Sequence, residues 1–152
     1  MSQFEGVRAD PVADEIVHLS QLEPLARQAL MGPTWDYVAG GAADELTLAD
    51  NVAAWARVKL APHTLVDVSH LNTRITLLGN DLAHPIVLAP TARHTAYHPE
   101  GESATIRGAK AAEALYVQSS LGGTQLETVA DAAKAIGEPW WFQLYIQHDR
   151  DW

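Results

Sequence analysis

The chain has 152 residues, a formal net charge of -9 and 47% hydrophobic residues, enough apolar material for one ordinary domain and too much for a disordered polymer. An acidic balance leaves no basic field for phosphate backbones or anionic lipid, so nucleic acid and membrane surfaces are not expected as partners. Cysteine is absent, which excludes disulfides, thiolate nucleophiles and Cys-ligated metal centres.

Residues Met1 to Asp14 are polar and acidic where a signal peptide needs a basic start and an apolar run, and no stretch approaches a membrane span. The expected location is the cytoplasm. Residues 1–18 lack periodicity and read as a flexible arm, with a folded region over 19–152. Ser20-Gln21-Leu22-Glu23 has the form of a capping box, and Leu22, Leu25, Ala26 and Ala29 line one face behind it. Gly32-Pro33 is expected to end that helix. A second short helix runs from Thr34 to Ala39, and a third from Asp44 to Arg57 with Leu48, Val52, Trp55 and Ala56 on one stripe. The first 60 or so residues therefore predict a helical layer.

The period then changes. Residues 73–83 predict a hairpin turning at Gly79-Asn80, followed by three compact apolar runs, Pro85–Ala89, Leu115–Ser119 and Trp140–Ile146. Between them lie a helix over Glu100–Ala114 and another opened by a second capping box, Thr124-Gln125-Leu126-Glu127. Strands alternating with helices imply βαβ units and a parallel sheet. Periodicity alone does not separate an open doubly wound sheet from the first part of a (β/α)8 barrel. The dinucleotide-binding form loses its main support, because Ala89-Pro90-Thr91-Ala92-Arg93-His94 stands where Gly-x-Gly-x-x-Gly is needed.

In such folds functional groups sit at the carboxyl ends of strands. Here Thr91, Ser119, Gln143 and Tyr145 occupy those ends and would converge on one rim, suited to a flat heteroaromatic ligand with polar edges; ordinary capping of strand ends is the plainer reading. Metal binding is not expected, since His94 and His98 stand beside Pro99 with no helix to align them. Gly122-Gly123 reads as a loop-to-helix transition because no Lys-Ser/Thr follows. Trp140 and Trp141 must face opposite sides of a strand, so at least one belongs to the core. Asp149-Arg150-Asp151 reads as solvated surface.

Several strings in fixed order, Asp36-Tyr37, Gly41-Ala42, Asp44-Glu45-Leu46-Thr47-Leu48, Ala89-Pro90-Thr91-Ala92, His98-Pro99-Glu100-Gly101-Glu102, Ser119-Ser120 and Phe142-Gln143-Leu144-Tyr145, resemble the FMN-dependent 2-hydroxy acid oxidase and dehydrogenase family over about residues 20–152. The resemblance implies the N-terminal part of a (β/α)8 TIM barrel: three strands, preceded by a helical layer and a short hairpin. It implies FMN as cofactor and oxidation of a small 2-hydroxy acid, lactate-like, to the 2-oxo acid. By position, Tyr37 resembles the tyrosine that binds the substrate carboxylate, and Tyr145 the one that contacts the substrate near the reacting carbon. Thr91 and Ala92 resemble the residues facing the flavin ring, and Ser119 and Gln143 those binding its pyrimidine edge. This chain departs from the family at Pro62-His63, at Arg93-His94 and in added residues around Lys134 to Glu138. The family's general-base His, carboxylate-clamping Arg, flavin-side Lys and phosphate-binding segments belong to later strands and have no counterpart here. The expected partners are accordingly the hydroxy acid and either a complementing C-terminal polypeptide or further copies of the chain. A truncated remnant or flavin-binding module without turnover is the alternative.

Overall fold

The computed structural model describes residues 16–137, 139–146 and 148, and the chain divides into two units, Met1–Ser69 and His70–Trp152. The expected arm up to residue 15, Glu138 and the Asp149–Asp151 tail lie outside the described residues.

The N-terminal unit is helical. A 3-10 turn at Leu19–Gln21 leads into α1, Leu22–Ala29. The expected capping box at Ser20 and Glu23 is not formed. The Ser20 hydroxyl instead meets His18 Nδ1 at 2.7 Å, and Gln21 Oε1 accepts from the His18 amide at 2.8 Å. The cap has moved two residues upstream because the 3-10 turn, and not α1, is the exposed helical start. Gly32-Pro33 likewise opens α2, Gly32–Ala39, instead of merely ending α1; a proline in the first turn costs no hydrogen bond because that amide has no intrahelical acceptor. Arg27 lies over the Trp35 ring at 5.9 Å. In α3, Leu46–Arg57, the helix begins two residues later than its sequence suggests. Glu45 takes a left-handed conformation, φ 57°, and its carboxylate accepts from the Gly41 amide at 3.0 Å. None of the three helices buries a residue.

The second unit carries the sheets. β1, Ile75–Leu77, and β2, Asn80–Leu82, form an antiparallel hairpin with Leu77 opposite Asn80. The two-residue turn is therefore Leu78-Gly79, one residue earlier than expected, with φ 47° and 80°. Positive φ at both positions gives the strand twist that a two-residue hairpin requires.

Then come β3, Val87–Leu88; α4, Gly101–Ala111; β4, Leu115–Ser119; α5, Leu126–Ile136; and β5, Trp140–Gln143. The three strands form one parallel sheet in the order β3-β4-β5, with Leu88 beside Tyr116, Tyr116 beside Trp140 and Ser119 beside Gln143. The alternation of side chains gives the sheet two faces. Leu88, Tyr116 and Trp140 lie on the face that packs with Ile106 and Ala109 of α4 and Val129 and Ala132 of α5. Paired positions of parallel strands share a face, so Ser119, Trp141 and Gln143 lie on the other. Hence the two adjacent tryptophans do divide, with Trp140 in the helix-side core. This is the start of a (β/α)8 barrel: parallel strands in sequence order, with intervening helices on one side. α5 ends at Gly137 in a left-handed cap, φ 69°, so Lys134 and Ala135, within the added stretch, are exposed residues of its last turn.

Candidate functional site

The carboxyl end of the sheet gathers the polar groups. Ser119 closes β4, is almost fully buried, and points its hydroxyl at Gln143 Oε1 across the strand pair at 3.4 Å. The same Gln143 oxygen accepts from the Ser120 amide at 3.3 Å and its hydroxyl at 3.5 Å. Ser119 Oγ also accepts from the Leu121 amide at 3.1 Å, which turns the chain out of β4. Gln143 Oε1 is thus committed, while its Nε2 has no acceptor among the described residues. Strand register brings Ser119 and Gln143 together; both belong to the predicted rim.

The other predicted residues are placed differently. Thr91 is exposed in the loop after β3, its hydroxyl 3.5 Å from the Ala89 carbonyl. Ala92 is half-buried and precedes Arg93, a non-glycine residue at φ 56°. The Arg93 amide donates to the Leu121 carbonyl at 3.1 Å, so the loops after β3 and β4 are joined by backbone. Tyr145 lies beyond β5, which ends at Gln143 and not at Ile146, and is 53% exposed. Tyr37 is on α2 of the N-terminal unit, 72% exposed. An open cavity of about 410 Å³ is lined by Thr91, His94, Tyr97, His98, Gly101 and Thr105. Of the predicted site residues it takes in Thr91 alone.

One functional group escaped the sequence reading. Glu102, in the first turn of α4, is 0% exposed. Its Oε1 accepts from the Gly123 amide at 2.7 Å and the His94 amide at 3.3 Å, and its Oε2 from the Thr124 hydroxyl at 2.5 Å. Burial works against the charge, but the bonds from Thr124 and from the backbone amides of Gly123, Glu102 and His94 outweigh it and hold the carboxyl below its ordinary value. Thr124 is consequently not the cap of α5. Gln125 occupies that position without a side-chain bond, and the Thr124 hydroxyl is turned to donate to the buried Glu102 carboxylate, a charge-assisted bond. Beneath the rim, the Tyr116 hydroxyl donates to Gln118 Oε1 at 2.6 Å, and Gln118 Nε2 donates to the Ser119 carbonyl at 3.0 Å. Burial first, and then the Glu102 charge, push the Tyr116 phenol up, which keeps it a neutral donor. His94, half-buried, bonds Thr105 Oγ1 at 2.8 Å and meets the Tyr116 ring edge-on at 6.4 Å.

Among the described residues no group of three or more His, Asp or Glu is arranged to hold a metal ion, and no helix is long and apolar enough to cross a membrane.

A parallel β/α sheet with helices on one side and a polar rim at its carboxyl end defines the class: the opening portion of a barrel whose ligands bind at that end. Residues 26–152 match the model of the FMN-dependent dehydrogenase family, and the chain belongs to that family. It is 42% identical over 135 residues to the peroxisomal (S)-2-hydroxy-acid oxidase of Oryza sativa, covering 89% of this chain and 36% of that protein. To the glycolate oxidase of Spinacia oleracea it is 39% identical over 137 residues, 90% of this chain and 36% of the relative. Among solved structures, the crystal structure of mandelate oxidase matches with a TM-score of 0.81 at 38% identity, over 88% of this chain and 38% of that one. The chain thus spans little more than a third of the relatives it resembles.

Proposed function

We propose that these residues form the substrate- and flavin-facing first part of an FMN-dependent oxidoreductase that converts a small 2-hydroxy acid to the 2-oxo acid. The observation that carries the reading is the Ser119–Gln143 pair. Gln143 has its oxygen held by Ser119 and Ser120 and, among the described residues, its Nε2 without an acceptor, so the rim offers a donor beside a hydroxyl. The pyrimidine edge of a flavin presents carbonyl oxygens and one N–H, and fits those groups. Family membership supports the same assignment.

When bound, FMN would supply the two-electron acceptor; the protein's part is orientation and polarity. Gln143 Nε2 would donate to a ring carbonyl, and the Ser119 hydroxyl would add a second polar contact. Thr91 and Ala92 would face the ring from the loop after β3. Tyr37 would donate to the substrate carboxylate, and the Tyr145 hydroxyl would contact the substrate close to the carbon that loses its hydrogen. Turnover is assigned to the whole protein, since the resemblance places the family's proton-accepting His and guanidinium clamp on later strands. The second reading is a flavin-binding module without turnover, in which the Ser119–Gln143 pair meets the ring and no oxidation follows.

Co-expression with a polypeptide carrying the remaining strands of a relative separates the two readings. A yellow complex that oxidises glycolate, lactate or mandelate is the expected outcome. In that complex Tyr37→Phe should raise KM, losing about 1.5–3 kcal/mol of hydrogen bonding to a carboxylate, while Tyr145→Phe should chiefly lower kcat. A yellow complex that oxidises none of the three acids would leave the flavin-binding reading and remove the catalytic one.

A further inference from the structure

Three features of the C-terminal unit converge on one side chain that the proposed chemistry does not use. The loop after β3 carries the predicted ligand groups Thr91 and Ala92, and the loop after β4 leaves directly from Ser119. The Glu102 carboxylate receives one amide from each, His94 and Gly123, and a hydroxyl from the second, Thr124. It is wholly buried, so none of these bonds competes with water.

The surrounding backbone leaves little freedom. Gly101, immediately before Glu102, has φ +51°, and a Cβ there would lie 2.7 Å from Thr95 Cγ2. A Cβ on Gly122 would lie 2.0 Å from Gln118 Nε2, and one on Gly123 2.1 Å from Thr95 Oγ1. The segment from Ser119 to Thr124 is therefore pinned at both ends. At one end Ser119 and Ser120 meet Gln143; at the other Gly123 and Thr124 meet Glu102. Between them the Leu121 carbonyl accepts from the Arg93 amide. Ser119 and Thr124 are thus the two anchored ends of one six-residue segment. The ionisable side chains beside the carboxylate are His94 and the Tyr116 phenol.

We propose that Glu102 is a positioning residue: its buried carboxylate ties the loop after β4 to the loop after β3 and so fixes the Ser119–Gln143 pair toward the ligand. The ligand clause rests on the flavin reading above; the loop clause does not.

Hydrogen exchange read by mass spectrometry on the full 152-residue chain tests the loop clause. Glu102→Gln keeps the shape and removes the charge. Thr124→Val removes a single donor, and Thr124→Ser restores it. In the first two variants exchange should rise in residues 91–97 and 119–125 and stay unchanged in the hairpin at 75–82, with Thr124→Ser matching the unaltered chain. A rise spread evenly over the unit, or none in the two loops, would overturn the positioning role.

Lumiflavin, a flavin ring without phosphate, serves as the ligand probe, followed by its fluorescence. Its affinity should fall roughly tenfold in Glu102→Gln and Thr124→Val and be kept in Thr124→Ser. Equal affinity in all four proteins would remove the ligand clause. If the unaltered chain does not bind lumiflavin, the flavin reading fails, while the exchange data still decide the loop clause.

Discussion

Glu102 shows how a single side chain can carry a charge into a core. Its carboxylate accepts from three donors on two loops, and its folded value lies below the ordinary 4.5. A carboxyl depressed in this way contributes stability that is fully present above the unfolded value and lost as pH falls through the folded one. Thermal melting should therefore weaken as the solution is acidified below about pH 4.5. In Glu102→Gln, which should cost about 1–3 kcal/mol at neutral pH by leaving charge-seeking donors poorly matched, this part of the acid dependence should disappear. An unchanged pH profile would mean that other carboxyls set it. At Gly122 the argument is steric. An added methyl would meet the Gln118 amide, which is buried and already bonded to Tyr116 and Ser119. Gly122→Ala should destabilise by about 1–3 kcal/mol in a denaturant melt, through forced repacking.

At the scale of elements, the hairpin carries a visible cost. Leu78 is exposed and sits at φ 47°, a left-handed conformation that costs a residue with a Cβ about 1–2 kcal/mol, because the Cβ crowds the following carbonyl oxygen. Asparagine tolerates that region and, before Gly79, makes the pair preferred in such turns. Leu78→Asn should raise stability by about 0.5–1 kcal/mol, measured by chemical denaturation. A loss would show that Leu78 is held by contacts that its exposure does not suggest. β5 presents the opposite balance. It pairs with β4 along one side, and its other side has no strand in the three-stranded order β3-β4-β5. Without a strand partner on that side among the described residues, and with exposed Phe142 in it and Leu144 and Ile146 just beyond, it has the properties of an adhesive edge.

Taken as a whole, the chain leaves much apolar surface in water. Trp55 is 78% exposed, Leu46 and Val52 similarly so, and α1 to α3 bury no residue. Together with the β5 edge, this predicts that the chain by itself self-associates. Size-exclusion chromatography should show species larger than a monomer, with strong binding of a hydrophobic dye. A cooperatively melting monomer without dye binding would mean that these faces find cover within one chain. On the proposed reading the same chain should bind FMN weakly, through its ring and not its phosphate, and bleach no flavin under anaerobic lactate, glycolate or mandelate, since the resemblance assigns the family's phosphate-binding segments, base and clamp to later strands. Submicromolar, phosphate-dependent FMN binding in a fluorescence titration would refute this.

The order of elements, the hairpin, the parallel β/α alternation and the family were legible in the chain, because hydrophobic period and turn residues act locally and leave their mark on neighbouring positions. The approach of Ser119 and Gln143 was legible for the same reason, whereas the end of β5 at Gln143 was not, and Tyr145 falls beyond it. What stayed hidden depended on partners distant in sequence. Ser20 and Thr124 have the local form of helix caps, yet each hydroxyl went to a better-placed partner, His18 in one case and the buried Glu102 in the other. Glu102 itself reads as an ordinary acidic residue in a first helical turn. Only the packing of α4 against the loops after β3 and β4 buried its charge and brought it three donors, since the strength of a charged hydrogen bond is decided by the water the fold excludes and by donors that only the fold brings near.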